Sequence, residues 1–352
     1  MKVLAFNVGS SSVKYALFNH SKKLETTNID RVTTQKQRER IVGEIIRDLD
    51  VRDFKPDIIT HRVVHGKDII SPKKIDRKLI KKIESISELA PLHIIPEVEV
   101  IKKTYKEFKC KQLALFDTAF HSTIPKEAAM YGLPKEYYEK GIKKYGFHGL
   151  SHKYVTRGLK GKTISCHLGS GSSITAIKNG ASVETSMGFT PLEGVPMSTR
   201  SGSLDPSIIT YLIEKEDMSL EDLKHLLNKE SGLKGLSGKS SDMRDLLNSK
   251  DKDSKMAVNV FCNRVREYIG SYSVVLGGVN NIVFTGGIGE NNAFIRQKIL
   301  KNLDFLGLKL SNVKNEQGER IISDSSSKVN IYVIPTDEEF EMALEAEEYK
   351  DV

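Results

Sequence analysis

The sequence predicts an α/β protein made of two related halves, and two observations support this prediction. Apolar, strand-like runs alternate with amphipathic, helix-like runs along the chain. The strand–turn–strand segment at 3–18 is also repeated at 164–177, with Gly9 matching Gly169 at an offset of 160 residues that stays constant over the segment. Duplication of one strand-rich unit is the simplest explanation of this repeat.

The strands are predicted from short apolar runs bounded by polar or glycine-rich residues. Several runs are apolar at nearly every position, which is typical of strands buried on both faces of a sheet. In chain order they are Val3–Asn7, Tyr15–Phe18, Ile58–Thr60, Leu113–Phe116, Thr163–Leu168, Ile174–Ile177, Ile282–Thr285 and Ile331–Ile334.

The helices are predicted from apolar residues that recur every three or four positions. Asp205 followed by Pro206 indicates a helix start, because Asp caps the first turn and Pro is tolerated at its first position. Ser219 indicates a second start, and Gly232 a helix end. Helical stripes lie at 41–49, 79–90 and 260–272, and an acidic helix is predicted at 338–349.

Length, composition and charge limit the class of protein. A chain of 352 residues is expected to form two domains. Its net charge of +8 comes from dispersed lysines without interleaved aromatic residues, which predicts solvated faces and no nucleic-acid partner. No apolar run is long enough to span a bilayer and no signal peptide is recognised. Three distant cysteines without a CxxC motif favour the reducing cytoplasm and disfavour a disulfide framework or a zinc site.

Turns rich in glycine and serine follow three of the predicted strands, at 9–12, 169–171 and 286–291. Backbone N–H groups and hydroxyls in such turns can approach an anion closely. The first two turns match neither a Walker P-loop nor a dinucleotide fingerprint, and a plain β-hairpin turn is the alternative. The third turn opens a helix, which is a geometry that can cradle a phosphate.

Charged side chains also follow predicted strands. Arg62 can hold a carboxylate or phosphate with its planar guanidinium, or form a structural ion pair. Asp117 can bind a metal or substrate, or cap a helix. Glu338 and Glu339 can bind Mg²⁺ with nucleotide phosphates, or balance a helix dipole.

A histidine pair and a second arginine complete the candidate residues. His148 and His152 are spaced like a zinc pair, but Gly149 replaces the Glu of HExxH, so a histidine beside a phosphoryl group is favoured. The segment 185–202 has little periodicity, which is common in functional segments, and it carries Arg200. Two arginines, a histidine, acids and anion-binding turns together favour phosphoryl transfer.

These motifs resemble the acetate kinase family. The matching strings occur in the family's order over nearly the whole chain: NVGSSSVKY, HRVVHG, APLH, LFDTAFH, YGFHGLSH, HLGSGSS, TSMGFTPLEG, TRSGSLDP and TGGIGEN. Four residues depart from the family pattern. Lys67 replaces a glycine, Ile94 and Ser170 each replace an asparagine, and Ser203 replaces an aspartate. None of these departures removes a charged residue expected in catalysis.

The resemblance implies the actin-like (RNase H-like) ATPase fold, with two duplicated domains and an active-site cleft between them. The implied N-terminal domain comprises residues 1–121 plus 340–352, and the implied C-terminal, nucleotide-binding domain comprises residues 122–339. A homodimer is implied as well.

The implied activity is the reversible, ATP-dependent phosphorylation of acetate to acetyl phosphate, with ADP as the second product, by direct in-line transfer. ATP is the implied co-substrate and Mg²⁺ the implied metal, for which Mn²⁺ can substitute. The alternatives are a propionate or butyrate kinase of the same family and, from another class, a slow or non-catalytic ATPase of the superfamily. A nicotinamide dehydrogenase is disfavoured, because the third glycine of the dinucleotide fingerprint is missing.

The resemblance also implies the roles of individual residues. The metal ligands would be Asn7 and Glu338. The catalytic residues would be Arg62, Asp117, His148 and Arg200, of which His148 and Arg200 would stabilise the transition state. The acid-binding residues would be Arg62, Val64, Leu92, His93, Phe147 and Pro191. The nucleotide-binding residues would be Lys14, His167, Gly169, Ser170, Gly171, Asp242, Arg244, Gly287, Ile288, Gly289, Glu290 and Asn291.

Overall fold

A computed structural model describes residues 1–349, which form two compact units. The first unit contains Met1–Ser122, Phe147–Tyr154 and the chain from Asp337 onwards, and the second contains Thr123–Gly146 and Val155–Thr336. The domain boundaries implied by the resemblance remain a prediction. They assign Phe147–Tyr154 to the other half, whereas Leu150 packs in the core of the first unit. Residues 350–352 of the implied N-terminal domain lie outside the described residues.

The first unit is built on a six-stranded sheet in the order β3-β2-β1-β4-β6-β5. The strand β1 pairs antiparallel with β2 and parallel with β4, which in turn is parallel to β6. The carboxyl ends of β1, β4 and β6 therefore lie at one edge of the sheet. The strands are β1 (Lys2–Val8), β2 (Ser12–Asn19), β3 (Lys22–Asp30), β4 (Ile58–Val63), β5 (Lys73–Lys74) and β6 (Lys111–Phe116).

Helices cover both faces of this sheet. One core contains Phe6 with Ile41 and Val100, which belong to α1 and α3, and the other contains Ala5 with Met342 of α15. Because successive strand residues point to opposite faces, Ala5 and Phe6 contribute to different cores. The helices are α1 (Gln35–Val51), α2 (Arg77–Glu84), α3 (Pro91–Glu107), α6 (Gly149–Thr156), of which Gly149–Tyr154 belong to this unit, and α15 (Glu338–Glu348), with 3₁₀ turns at Ser87–Leu89 and Asp117–Thr123.

The second unit is built on a five-stranded sheet in the order β11-β10-β7-β8-β9. Its core contains Phe284 of β10 together with Phe261 and Val265, which lie on the long helix α11. The strands are β7 (Lys162–Leu168), β8 (Ser172–Lys178), β9 (Ala181–Thr185), β10 (Asn281–Thr285) and β11 (Asn330–Val333).

The helices of the second unit are mostly short, apart from α11. The unit also contains a π-helical turn at Leu226–Glu230 and a 3₁₀ turn at Asp304–Leu306. The helices are α4 (Lys126–Ala129), α5 (Lys135–Glu139), α7 (Pro206–Lys215), α8 (Leu220–His225), α9 (Gly232–Ser237), α10 (Met243–Asn248), α11 (Lys252–Val275), α12 (Gly286–Asn291), α13 (Ala293–Leu300) and α14 (Asn312–Gln317).

The two sheets repeat one topology, in line with the predicted α/β class and duplication. In each, an antiparallel meander of three strands is followed by strands parallel to the first. The prediction that the two repeated segments keep a constant offset of 160 residues is wrong beyond the turn. Gly9 N–H donates to Ser12 O at 2.9 Å, whereas Gly169 N–H donates to Gly171 O at 3.1 Å, so the second turn is one residue shorter.

Every predicted strand is present, but the sequence reasoning missed β3, β5 and β9. All three are polar edge strands, whose residues do not form the apolar runs on which the prediction relied. Asp205 and Ser219 cap α7 and α8 as predicted. Gly232 was predicted to end a helix, but it opens α9 with a φ of +61°. Within residues 1–349, no helix is both long and apolar enough to span a membrane.

Candidate active site

Arg62 is the centre of a charged cluster in the first unit. Its guanidinium donates to Asp117, with 2.7 Å between Nη2 and Oδ2, and through Nη1 to Asn7 Oδ1 at 3.1 Å and Glu338 Oε2 at 2.7 Å. Arg62 lies near the end of β4, and Asp117 directly follows β6. Because these strands are parallel neighbours, their carboxyl ends bring the two side chains together.

Asn7 connects this cluster to the start of α15. Its Nδ2 donates to Glu338 Oε2 and to Glu339 Oε1, both at 2.7 Å. Glu339 also forms an ion pair with Lys14, with 2.6 Å between Nζ and Oε2. The cluster therefore alternates cations and anions around Asn7, and both acids lie in the first turn of α15, where its dipole favours negative charge.

Burial and mutual attraction set the charge states of this cluster. Burial disfavours the charge on Arg62, but Asp117 and Glu338 outweigh it and raise the Arg62 pKa, so the guanidinium stays charged. Burial raises the pKa of Glu338, although Arg62 opposes that change. Burial also disfavours the charge on Lys14, but Glu339 outweighs it and raises the Lys14 pKa.

Glu97 is a buried acid beside this cluster that the sequence reasoning missed. It lies on α3, and its Oε2 accepts a hydrogen bond from Val64 N–H at 3.2 Å. Burial raises the pKa of Glu97 to about 8, although the Val64 amide and the charge of Arg62 oppose the increase. The signal was present in the sequence, because Glu97 shares a helical stripe with Ile94, Val98 and Ile101.

His148 directly precedes α6 and has a φ of +55°, in the left-handed region that non-glycine residues rarely adopt. Gly149 follows it, and a Cβ at this position would lie 1.8 Å from the carbonyl oxygen of Asp117. Leu150 N–H donates to Asp117 Oδ1 at 3.5 Å. The start of α6 is thus packed directly on Asp117. Unusual backbone geometry of this kind is often found at functional sites.

Four of the predicted acid-binding residues besides Arg62 lie in the first unit. Val64 and Phe147 are buried. Leu92 and His93 lie in the first turn of α3, where Leu92 is exposed and His93 is partly buried. The Phe147 ring contacts the ring of His65 at a centroid distance of 5.5 Å. Glu97 lies on α3 together with Leu92 and His93, and it accepts a hydrogen bond from Val64 N–H. Glu97 therefore connects Val64 to the first turn of α3.

A cavity of about 480 Å³ in the second unit corresponds to the predicted nucleotide site. Its walls come from the turn after β7, the start of α10 and the start of α12. A Cβ on Gly169 would lie 3.8 Å from Gly287 N, so the two glycine turns are close neighbours. Seven of the predicted nucleotide-binding residues line the cavity: Gly169, Ser170, Asp242, Arg244, Gly287, Ile288 and Asn291.

The other predicted nucleotide-binding residues lie elsewhere. His167 lies on β7 beside the turn, with its Nε2 4.0 Å from a Cβ built on Gly169, and Gly171 closes that turn. Glu290 accepts from the N–H groups of Gly286 and Thr336 at 2.8 and 2.9 Å, so it stabilises the glycine turn itself. Gly289 follows Ile288 in α12, and its carbonyl oxygen accepts a hydrogen bond from Arg296 Nη1. Lys14 lies in the first unit, where it forms an ion pair with Glu339.

Sequence reasoning missed four residues that line the cavity, namely Ser198, Ser241, Met243 and Asn292. Each is adjacent in sequence to a glycine turn or to a predicted site residue, or lies in the aperiodic segment that carries Arg200. Asp242 caps α10 by accepting from Arg244 N–H at 2.8 Å and also pairs with the Arg244 side chain at 2.5 Å.

Arg200 lies in the irregular segment between β9 and α7, as expected from its lack of periodicity. Its Nη1 donates to Pro191 O at 3.4 Å and contacts Met197 Sδ at 3.8 Å. Burial lowers the Arg200 pKa. Among the residues that the structure describes, no carboxylate pairs with it. A half-buried guanidinium without an anionic partner is suited to bind an anionic ligand.

No group of three or more His, Cys, Asp or Glu side chains within residues 1–349 is arranged to hold a metal ion. This does not disfavour Mg²⁺, which keeps several waters and uses one or two carboxylates together with substrate phosphates. The oxygens of Asn7 and Glu338 are hard donors of the kind that Mg²⁺ prefers.

Comparisons with known proteins show which proteins this chain resembles. The family model of the acetokinase family matches residues 26–344. An acetate kinase of Thermoanaerobacterium thermosaccharolyticum is 45% identical, and the match covers 99% of this chain and 98% of that protein.

Solved structures give the same result. A propionate kinase from Francisella tularensis has a TM-score of 0.89 at 37% identity, with 98% of each chain covered. The acetate kinase from Entamoeba histolytica has a TM-score of 0.90 at 34% identity, with 99% of each chain covered. The similarity extends through both units, so the fold is that of these two-domain α/β kinases.

Proposed function

The chain belongs to the acetokinase family, and from this premise we propose that it is a kinase that reversibly transfers the γ-phosphoryl group of ATP to acetate, giving acetyl phosphate and ADP. The observation that carries the proposal is the Arg62 cluster. A guanidinium held by Asp117, Asn7 and Glu338 lies at the carboxyl edge of a parallel sheet, where α/β proteins bind substrates.

The proposed reaction needs positioning and charge neutralisation more than proton transfer. Acetate is already an anion at neutral pH, so its oxygen attacks the γ-phosphorus in line without a general base. In this proposal Arg62 binds the carboxylate and Asp117 orients it, while His148 and Arg200 balance negative charge on the transferred phosphoryl group. The left-handed backbone of His148 and the unpaired state of Arg200 support these roles.

Mg²⁺ is part of the proposal, with Asn7 and Glu338 as its protein ligands and Mn²⁺ as a substitute. When bound, the ion neutralises charge on the nucleotide phosphates. Both side chains are held in place before any ligand arrives, because Glu338 accepts from Arg62 and Asn7 donates to Glu338 and Glu339. Such preorganisation lowers the cost of assembling the site.

ATP is proposed to bind the 480 Å³ cavity of the second unit. Its volume falls in the range of about 300–1,000 Å³ that is usual for small-molecule sites. The glycine turn after β7 would contact the phosphates, with His167 beside it. Asp242, Arg244 and the start of α12 would surround the adenosine.

Propionate is the second candidate substrate, and the similarity to a propionate kinase favours its inclusion. Val64, Leu92, Phe147 and Pro191 are the proposed wall of the acyl pocket. One methylene in an apolar pocket changes discrimination by about 1–3 kcal/mol, so activity on both acids is expected. Butyrate, with a further methylene, is expected to be poorer.

The test is a hydroxamate assay for acyl phosphate with ATP, Mg²⁺ and acetate, propionate or butyrate in parallel. We expect product from acetate at the highest kcat/KM. Product from propionate at a higher kcat/KM would instead support the second candidate. Absence of acyl phosphate with all three acids, while ATP is slowly hydrolysed, would favour a superfamily ATPase and contradict the proposal.

Removal of either proposed arginine should strongly reduce turnover without unfolding the protein. We expect Arg62→Ala and Arg200→Ala to reduce kcat by about 10²–10³, the usual cost of removing one group that stabilises charge in the transition state. Arg244→Ala is the matched control for Arg200→Ala, because Arg244 is exposed at the rim of the proposed nucleotide cavity and its removal should mainly raise the KM for ATP. Turnover close to that of the parent chain in either arginine variant would contradict the assigned roles.

A cytoplasmic homodimer without a nucleic-acid or membrane partner completes the proposal. Cys110, Cys166 and Cys262 are free thiols, which suits a reducing compartment. The helix α7 supports the dimer, because it has no buried residue although Ile208, Tyr211 and Ile213 are large apolar side chains. Exposed apolar surface of this kind often marks a protein–protein interface.

A further inference from the structure

Glu97 is a buried acid outside the set of residues with a proposed catalytic or binding role. It lies in the second turn of α3, only 1% exposed, among the apolar side chains of Ile94, Val98 and Ile101. A glutamate is rarely found fully buried unless it is paired. Its single hydrogen bond within the described residues, from Val64 N–H to Oε2, leaves Oε1 buried without a partner.

This arrangement is costly for the fold. A buried carboxyl group that is hydrogen-bonded through one oxygen loses hydration that it does not fully recover. Burial accordingly raises the pKa of Glu97 to about 8, so the acid is largely protonated at neutral pH. An apolar side chain of similar volume would avoid the cost. The position of Glu97 therefore indicates a role other than packing.

The hydrogen bond that Val64 N–H donates to Glu97 indicates that Glu97 acts on the residues at and just after the end of β4, which include the proposed acid-binding residues Arg62 and Val64. Three side chains fix the end of β4 and the residues after it: Asp117 binds Arg62, Glu97 accepts from Val64 N–H, and Thr118 Oγ1 accepts from Gly66 N–H at 3.0 Å. Asp117 and Thr118 come from the neighbouring strand end. Glu97 connects this segment to α3, whose first turn carries Leu92 and His93.

We infer that Glu97 is a positioning residue of the acyl pocket: by accepting the Val64 N–H it fixes the pocket wall relative to the first turn of α3, and so sets the affinity for short carboxylic acids and the choice among them. The inference rests on the proposed function, because it assigns Glu97 to the pocket of that same reaction. Glu97 itself takes no part in the chemical step.

The test compares Glu97→Leu with Glu97→Gln. The leucine variant removes the acceptor and leaves Val64 N–H buried and unpaired, whereas glutamine keeps an acceptor oxygen at the same length. We expect Glu97→Leu to raise the KM for acetate about tenfold and to change the ratio of kcat/KM for acetate and propionate. The KM for ATP should stay within about twofold, and Glu97→Gln should restore the KM for acetate to within about threefold of the parent value.

Glu99→Gln is the matched control on the same helix. Glu99 forms an ion pair with Arg38 at 2.5 Å, away from Val64, so its loss should leave both KM values unchanged. Thermal melts establish that each variant is folded. Glu97→Met, which has a flexible side chain of similar volume and only a weak acceptor, replaces Glu97→Leu if the latter does not fold.

Each outcome is decisive. An unchanged KM for acetate in the leucine or methionine variant would overturn the inference, and so would a glutamine variant as impaired as the leucine variant. A parent chain that makes no acyl phosphate from any short acid would instead overturn the proposed function and the inference with it. An active parent with unaffected variants overturns the inference alone.

Discussion

At the scale of single residues, Glu97 makes the free energy of unfolding depend on pH. Because its folded pKa of about 8 exceeds the ordinary value of 4.5, its stabilising contribution is complete below about pH 4.5 and is lost as pH rises to about 8. His61 and His65 act in the opposite sense. Burial lowers the pKa of each from 6.5 to about 4, so their contribution is lost as pH falls below 6.5.

Comparing the parent chain with Glu97→Gln from pH 6.5 to pH 8 therefore isolates Glu97, because both proteins contain the two histidines. We expect the parent chain to lose up to about 2 kcal/mol more than Glu97→Gln over this interval, at about 1.4 kcal/mol per pH unit. Urea unfolding of both proteins at the two pH values measures the difference. Parallel losses in parent and variant would contradict the raised pKa.

Lys67 is a second residue with a measurable cost. It occupies a place where the acetate kinase pattern has glycine, and its φ of +51° lies in the left-handed region. A non-glycine residue in this region lowers the stability of the folded protein by about 1–2 kcal/mol. Glycine avoids that cost, but it loses about 0.5–1 kcal/mol of stability through its greater conformational freedom in the unfolded chain. We expect Lys67→Gly to be more stable than Lys67→Ala by up to about 1 kcal/mol in thermal melts. A less stable glycine variant would disagree with this backbone geometry.

At the scale of elements, the start of α6 depends on the absence of a side chain. A Cβ at position 149 would overlap the carbonyl oxygen of Asp117 and lie 2.9 Å from Phe120 Cβ. Since main-chain atoms cannot move aside cheaply, we expect Gly149→Ala to cost at least about 3 kcal/mol and to reduce turnover by displacing Asp117. Urea unfolding and the hydroxamate assay measure the two effects.

Gly270→Ala is the control for this substitution. Gly270 lies inside α11, and apart from its chain neighbours and the helix's own nearby backbone no atom lies within 4 Å of a Cβ built there. Alanine is the better helix former, so this variant should gain about 0.5–1 kcal/mol. If both glycine variants shifted stability equally and in the same direction, close packing at Gly149 would not be the cause.

The elements also show what a sequence can and cannot predict. Arg62, Asp117 and Glu338 could be found because polar residues at the ends of apolar strands are conspicuous, and parallel strands bring their ends together. The burial of Glu97 was not predicted, although Glu97 lies in an apolar helical stripe with Ile94, Val98 and Ile101. The role of Glu290 in its own turn depends on Thr336, which is distant in sequence, so no local pattern predicts it.

At the scale of the whole molecule, the duplication explains why the two units are built alike, although we propose that they bind different ligands. Both begin with a strand, a Gly/Ser turn and a second strand, but the turn after β1 is one residue longer than the turn after β7. In the first unit, side chains of Arg62 and its partners supply the charge. In the second unit, the glycine turns leave a cavity open to backbone contacts. Under the proposed function, the same topology supports a site for a small acid in one unit and a site for a nucleotide in the other.

Assembly is the property of the whole molecule that the exposed apolar face of α7 predicts. Ile208 and Tyr211 are three residues apart, so they lie on one face of the helix, at 41% and 58% exposure. If a second copy covers this face, Ile208→Asp combined with Tyr211→Asp should convert a dimer into a monomer, because two buried unpaired carboxylates oppose association. Light scattering during size-exclusion chromatography measures the mass.

Val51→Asp is the control, since Val51 is 86% exposed at the end of α1 and its substitution should leave the dimer intact. A double variant that stays dimeric would place the interface elsewhere, and a monomeric parent would refute the dimer itself.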